Sequence, residues 1–475
     1  MPLVLLLLTL SLLQACIAPA VSDTAANYAS PSSDTTRSRA PSDPIANTCK
    51  DLDHCRSLVG IITSCLATIF ACVWVAVHPN VPGPKQSWTS RKIESIKVVV
   101  VTLLVPEWVL AWAVRQFLRA RVYAKELEAA RKGSFFINLL RVVRQFHRSQ
   151  QANSTNQRKQ TLNNCHSLYL RFTAWTITHG FLMTMGGFHF YRGGKPMFPL
   201  EYDDVLALVE SRSLVPPTSD ELGDKSKGDA LSKTIAILQT LWFVAQCIAR
   251  RVENLAITNL EIMTLAYTAI TVAMYAAWWH KPLNMRCPVR VKGNKEFVKD
   301  TRRFRWAQIL FYVTGDQDHL TTLNGKERVP TFWSSCTTGG IRLRLTFEPQ
   351  TSVGKLPLYA DITALLVAMV FGAVHCTAWS YVFPSLEQQK MWRVCALAIT
   401  TIPLPMAVAF AAFDPFLQHV RNVPHAYTQV ICMALGALLY IIARIILLVL
   451  SFTTLRHLPL SAYQTVQWTT WIPHV

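Results

Sequence analysis

The sequence is poor in the spacings that build catalytic sites. Its twelve cysteines include no C-x-x-C pair, no two histidines stand four residues apart, and no histidine is followed by aspartate across four residues. Each absence removes a chemistry. Without paired cysteines, zinc ribbons and dithiol redox motifs are excluded. Without spaced histidines, the di-iron boxes of membrane oxygenases and desaturases are excluded, and without the His-x4-Asp pair so is the usual membrane acyltransferase site. Walker A loops, G-x-S-x-G elbows and H-E-x-x-H zinc helices are missing too. No catalytic residue, metal site or cofactor is therefore assigned. Acidic residues are also scarce, with 28 Asp and Glu against 47 Lys and Arg.

What is present is apolar and clustered. Half of the residues are hydrophobic (51%), and they gather in blocks near the ~20 residues a bilayer-crossing helix needs. The blocks are 58–78, 96–117, 232–250, 260–280, 358–381, 391–413 and 428–452. Trp74, Trp278, Trp279 and Trp392 stand near block ends, where a ring part apolar and part hydrogen-bonding suits the headgroup level. Nucleic acid is a poor match for the surplus of basic residues, because they flank bilayer-length stretches. Anionic lipid headgroups are the expected partner instead. The expected fold class is all-α: a multi-pass transmembrane protein of six or seven spans with large basic loops.

Along the chain, residues 1–20 read as a signal peptide. An apolar core from Leu3 to Leu13 precedes small residues at Ala18 and Ala20. Residues 21–57 form a polar tail with little to bury. Residues 58–117 hold the first membrane helices, with 58–78 a span and 96–117 a span or re-entrant segment. A basic loop over 118–230 contains an amphipathic helix, "SFFINLLRVVRQFHR", and an apolar but interrupted stretch at 168–190 that reads as interfacial or partly inserted. A helical hairpin occupies 231–281, and a second basic loop, 282–357, includes the strand-like "IRLRLTF". Three helices fill 358–452, and 453–475 is a C-terminal tail.

Topology is contested within the sequence itself. Residues 118–160 hold ten basic and two acidic side chains, and 281–357 hold fourteen and six, so both connections belong on the cytoplasmic side. Seven crossings would then put the N-terminal tail in the cytoplasm, against the signal peptide. A re-entrant 96–117, interrupted by Pro106 and Glu107, resolves the conflict with six crossings. The sole N-x-S/T sequon lies at Asn153 in the first basic loop. Glycosylation there would place that loop in the lumen.

Charge inside an apolar block is costly, about 3 kcal/mol or more at the bilayer centre, so such groups are the candidate site. They are Glu107, His375 near the middle of its block, and Arg444 just past the centre of the last. Read functionally, they line an ion or proton pathway. Read structurally, Arg444 snorkels and Glu107 is protonated or paired. Pro106, Pro403 and Pro405 are possible helix breaks of the kind transporters use to free backbone carbonyls. A transporter or channel-like protein is the favoured function. The alternative is a non-enzymatic receptor or scaffold binding lipid or a partner through its basic loops, and an enzyme using a buried histidine such as His375 ranks last. His78, in "HPNVPGP", reads as a helix-end residue because the residue before a proline is pushed from the α region. His179, His189 and His280 read as hydrogen-bonded residues at block edges.

Five strings, "CLATIFACVWVAVHPNVPGP", "AWTITHGFLMTMGGF", "WWHKPLNMRCPV", "VFGAVHCTAWSYVFPS" and "QTVQWTTWIPHV", together resemble a large family of fungal multi-pass membrane proteins with no assigned activity. The resemblance runs from about 55 to 475. It implies membrane residence and carries no catalytic residue.

Overall fold

In the computed structural model the described residues are 55–151, 174–225, 230–283, 285–292, 323, 326–335, 356–381, 383–409 and 425–468. The helices are, in chain order, α1 (Leu58–Ala76), α2 (Trp88–Leu104), α3 (Pro106–Gln151), α4 (Ile177–Thr184), α5 (Tyr202–Glu210), α6 (Ser219–Lys225), α7 (Ala230–Val252), α8 (Asn259–Ala277), α9 (Leu356–Cys376), α10 (Leu386–Thr401), α11 (His425–Thr453) and α12 (Leu460–Tyr463). The strands are β1 (Phe188–Arg192), β2 (Lys195–Pro199) and β3 (Val289–Lys292). The chain divides into two compact units. Unit 1 comprises residues 1–75, 231–273 and 361–475, and unit 2 comprises 76–230 and 274–360.

Unit 1 is a set of apolar helices turned inside out. Six helical segments among the described residues are long and apolar enough to cross a membrane: Leu58–Ala76, Thr234–Val252, Asn259–Ala277, Tyr359–Cys376, Leu386–Ala409 and Cys432–Arg456. Their positions follow six of the seven apolar blocks read from sequence. α1 exposes Leu66, Phe70 and Trp74, α7 exposes Ile235, Leu238, Leu241 and Trp242, and α11 exposes Leu435, Leu438, Leu439, Ile442 and Ile445. Contiguous apolar surface of this kind marks a face that a membrane or a partner covers. The inner faces pack closely. A Cβ added to Gly372 of α9 would lie 2.5 Å from Thr400 Oγ1 and 2.6 Å from Thr400 N on α10, so a small residue there brings two helix backbones together.

One end of unit 1 is tied by charge. Thr258 and Glu261 form a reciprocal box at the start of α8: Thr258 N donates to Glu261 Oε2 (2.7 Å), and Glu261 N donates to Thr258 Oγ1 (3.3 Å). Arg56 grips the same carboxylate with both terminal nitrogens (2.5 and 3.2 Å) and donates to Ala462 O (2.6 Å). Arg250, 2% exposed, donates to Ala256 O, Ser461 O, Ala462 O and Gln464 O. The start of α1, the end of α7, the start of α8 and the chain after α11 therefore meet at one end.

Unit 2 has a conventional core. Leu127, Trp175, Leu182, Phe188, Phe190, Phe198, Leu200 and Val205 are buried together. β1 and β2 pair antiparallel, with Arg192 opposite Lys195 and Phe190 opposite Phe198. The turn is Gly193-Gly194, with φ of +55° and +79°, a left-handed pair that glycine adopts at no steric cost. β3 adds in parallel to β1, giving the order β2-β1-β3. This sheet is the exception to an all-α fold in a chain that is otherwise mostly helical.

The seventh block, 96–117, is not one helix. Val105 sits at φ −142° and ψ 68°, because the residue before a proline is held out of the α region. Pro106 then opens α3, where a missing N–H costs nothing, and α2 and α3 are bent by 117°. α3 runs 46 residues to Gln151, so much of what reads as a basic loop is a continuous helix. Within the stretch 168–190, the described residues from Trp175 onward supply α4 and the first residues of β1 to the unit 2 core. Residues 1–54, Asn153 and "IRLRLTF" lie outside the described residues.

Unit 2 depends on Gly180. A Cβ there would lie 2.0 Å from Ala120 O of α3, a backbone atom with no room to move. Gly180→Ala is expected to destabilise by about 1–3 kcal/mol, measured as a lowered unfolding temperature of the detergent-solubilised protein. An unchanged temperature would show that α3 and α4 do not pack so closely.

Candidate functional site

Two of the three charged candidates come together in unit 1. Arg444 stands at the middle of the Cys432–Arg456 segment and is 4% exposed. Its guanidinium lies 4.2 Å from the ring centroid of Phe371 and 5.3 Å from that of Tyr267, a placement that favours a cation over two π faces. The His375 ring is 4.8 Å from the same Phe371. His375 Nδ1 donates to Phe371 O (2.8 Å), and its Nε2 lies 3.4 Å from Met263 Sδ. Trp392 of α10 donates its indole N–H to His375 O (3.1 Å). His375 is in the last turn of α9, not near its middle, because α9 ends at Cys376. A shared aromatic ring thus joins a buried histidine and a buried arginine.

The remaining candidates have other settings. Glu107 belongs to unit 2, in the first turn of α3, and is 7% exposed; a carboxylate at a helix N-terminus complements the helix dipole. Pro106 stands at the 117° bend between α2 and α3. At the other candidate break, Ile402 forms a turn inside the Leu386–Ala409 segment, with Pro403 buried and Pro405 exposed after it. The block-edge histidines have structural duties. His179 Nε2 donates to Pro217 O (2.8 Å), and its Nδ1 accepts from Thr176 N (3.0 Å). Burial lowers the pKa values of His179 and His189, the latter to about 4. His280 is exposed.

A second buried polar cluster lies in unit 2, at a lysine the sequence reading passed over. Lys281 is 3% exposed. Its ammonium group donates to His78 O and to Gln116 Oε1 (2.7 Å for the latter). It also lies 4.6 Å from the Trp112 ring and 4.4 Å from the Trp278 ring. The two indoles meet edge to face at 4.9 Å. Gln116 carries the cluster onward. Its Oε1 also accepts from Trp278 Nε1 (3.0 Å), and its Nε2 donates to Asn80 Oδ1 (2.9 Å) and Trp333 O (2.8 Å). Asn80 Nδ2 donates to Pro330 O, Thr331 O and Trp333 O, and Trp112 Nε1 donates to Trp333 O. One turn on, Tyr123 and Arg119 both donate to Ser335 O.

The local reasons are visible in the chain. Trp112, Gln116, Arg119 and Tyr123 recur at helical spacing and share a face of α3. "HPNVPGP" and "WWHKP" are stiffened by prolines, which hold His78, Asn80, Trp278 and Lys281 in fixed turns. The indole faces and two oxygen acceptors favour the charged amine, while full removal from water opposes it. Removal from water wins and holds the Lys281 pKa well below the ordinary 10.5. Among the described residues no group of three or more His, Cys, Asp or Glu side chains is placed to hold a metal ion.

The architecture defines a class: a mostly helical chain with six segments, among the described residues, fit to cross a membrane and a second unit that bears a small sheet. Within that class the chain belongs to a family of unknown function, DUF8562, whose model matches residues 36–301 and 352–475. The match includes His78, Asn80, Gln116, Lys281, His375 and Arg444, while Pro330, Trp333 and Ser335 fall in the unmatched interval. No curated protein and no solved structure matches the chain.

The Lys281 amine loses protons on folding over the pH range between its lowered pKa and 10.5. There the unfolded chain binds the extra proton, so stability rises with pH and levels off near 10.5. Lys281→Met should flatten that rise, as read from unfolding temperatures of the purified protein at stepwise pH. A variant with the wild-type slope would exclude Lys281 as its source.

Proposed function

We propose that this chain is a multi-pass membrane protein of six crossings that carries or conducts a solute through the helices of unit 1. The observation that supports it is Arg444. A guanidinium at the middle of a bilayer-length helix is expensive, yet this one is turned inward onto Phe371 and Tyr267 while neighbouring Ile442 and Ile445 are exposed. Intramembrane charge retained at such cost marks solute or proton pathways in membrane proteins. His375, on the same aromatic ring, is the second polar group of that path.

Six crossings agree with the charged end of unit 1. An even number returns the chain to its starting side, and Arg56 and Gln464 are indeed joined there through Arg250, Glu261 and Ala462. The basic 118–160 and 281–357 connections then take the cytoplasmic side, and the Arg56 end takes the lumenal side that a signal peptide requires. The α2–α3 pair, bent by 117°, does not cross. In sealed microsomes a tag after Val475 should resist added protease, and Asn153 should carry no glycan. A digested tag or a glycosylated Asn153 would reverse this topology.

Transport itself is tested in proteoliposomes, with a panel of inorganic ions, amino acids and sugars. Arg444→Gln keeps hydrogen-bonding capacity and removes the charge. It should cut flux by ten-fold or more while the protein still elutes as a single species. Wild-type vesicles no leakier than empty ones for every solute would sink the reading. They would favour a scaffold instead, for which the exposed Arg121, Lys125 and Lys132 of α3 offer a basic surface.

A further inference from the structure

We infer that α2 is an in-plane membrane anchor, seated by its outer face in the acyl boundary of a leaflet carrying anionic lipid. The helix has two unlike faces. Ile93, Ile96, Val100, Leu103 and Leu104 recur at helical spacing along one stripe and are all exposed, by 37% to 55%. The opposite side is held by unit 2: Val98 and Thr102 are fully buried, and Glu94 accepts from Arg328 (2.9 Å) and Thr331 (2.5 Å). The apolar stripe therefore faces outward by construction, since turning it inward would break the Glu94 contacts.

The occupant is identified by charge and by length. α2 spans 17 residues, about 25 Å at 1.5 Å per residue, and Arg91, Lys92, Glu94 and Lys97 fall in its first ten. Placed across a bilayer, those charges would sit in hydrocarbon; placed along the surface, they reach the headgroups while the stripe sinks below them. Lys85, Lys92 and Lys97 are exposed beside the stripe, and Trp88 opens the helix at 64% exposure with the Lys92 ammonium 5.7 Å from its ring. An exposed indole flanked by lysines is the chemistry of an anionic interface. A second protein would want fewer lysines around an apolar seat. The 117° bend at Val105 is what allows α2 to lie along the surface while α3 departs from it. This anchor rests on the membrane reading and is independent of any solute.

The test uses the full-length protein with a photoreactive benzoylphenylalanine at Ile96 or Val100, and at exposed Asp220 as a control. Each form is reconstituted in phosphatidylcholine vesicles with and without phosphatidylserine, irradiated, and examined for adducts by mass spectrometry. Lipid adducts are expected at Ile96 and Val100 but not at Asp220, with phosphatidylserine enriched over its share of the bilayer. Replacing Lys85, Lys92 and Lys97 with Gln should reduce that enrichment by about five-fold or more. Adducts to this chain or to a second copy, in place of lipid, would overturn the anchor. Lipid adducts without phosphatidylserine enrichment would overturn its anionic partner. Retention of the protein in alkali-washed membranes checks the membrane reading separately; its loss would overturn both.

Discussion

A carbonyl oxygen taken out of water must be given a donor, and this chain meets that demand with cations. Arg250 serves carbonyls of four residues at one end of unit 1, Arg393 serves Trp379 O twice, and Lys281 serves His78 O in unit 2. A guanidinium is suited to the task, since its donors point in fixed directions and it has no acceptor of its own to satisfy. At Arg250 four peptide dipoles offset part of the cost of desolvating the charge, whereas at Lys281, with one carbonyl and one side-chain amide oxygen, that cost prevails. Part of the large basic surplus is therefore internal architecture. Reading all of it as surface for lipid overstates the outer charge.

The two units distribute their apolar side chains differently. Unit 1 places its aliphatic side chains outward and keeps threonine, histidine and arginine within, and its helices approach through Gly372 and Thr400. Unit 2 places Phe, Trp and Leu inward around a sheet, in the manner of a water-soluble core. Hydrophobic burial drives the second, whereas a lipid-covered outer face would leave close packing and internal polar contacts to hold the first together. A single amino-acid composition thus averages two regimes.

This is also why the sequence was only partly legible. Bilayer-length blocks carry their own signal, so six helices fall where hydropathy puts them, and Pro106 marks the α2–α3 break because proline acts on its immediate neighbour. The sheet was missed because β1 follows an apolar stretch and β3 is four residues long. α3 was cut short because its polar half lacks hydropathy, although its helical spacing continues. Arg444 and His375 stood out as ionisable groups in apolar blocks, and a shared contact with Phe371 joins them. Glu107 stood out equally, yet it belongs to the other unit. Lys281 was overlooked because a lysine after two tryptophans resembles an interfacial anchor. Its partners, at His78 and Gln116, lie more than 160 residues away in the chain.

The seat of residues 330–335 has one further consequence. Asn80, Trp112, Gln116, Arg119 and Tyr123 all reach for main-chain oxygens of that segment, and one of those oxygens belongs to a proline. Every amino acid carries such an oxygen. These main-chain contacts depend on spacing more than on side-chain identity, although Thr331, Phe332 and Trp333 also pack or bond through their side chains. One residue inserted between Pro330 and Ser335 would shift the acceptors after it past their donors.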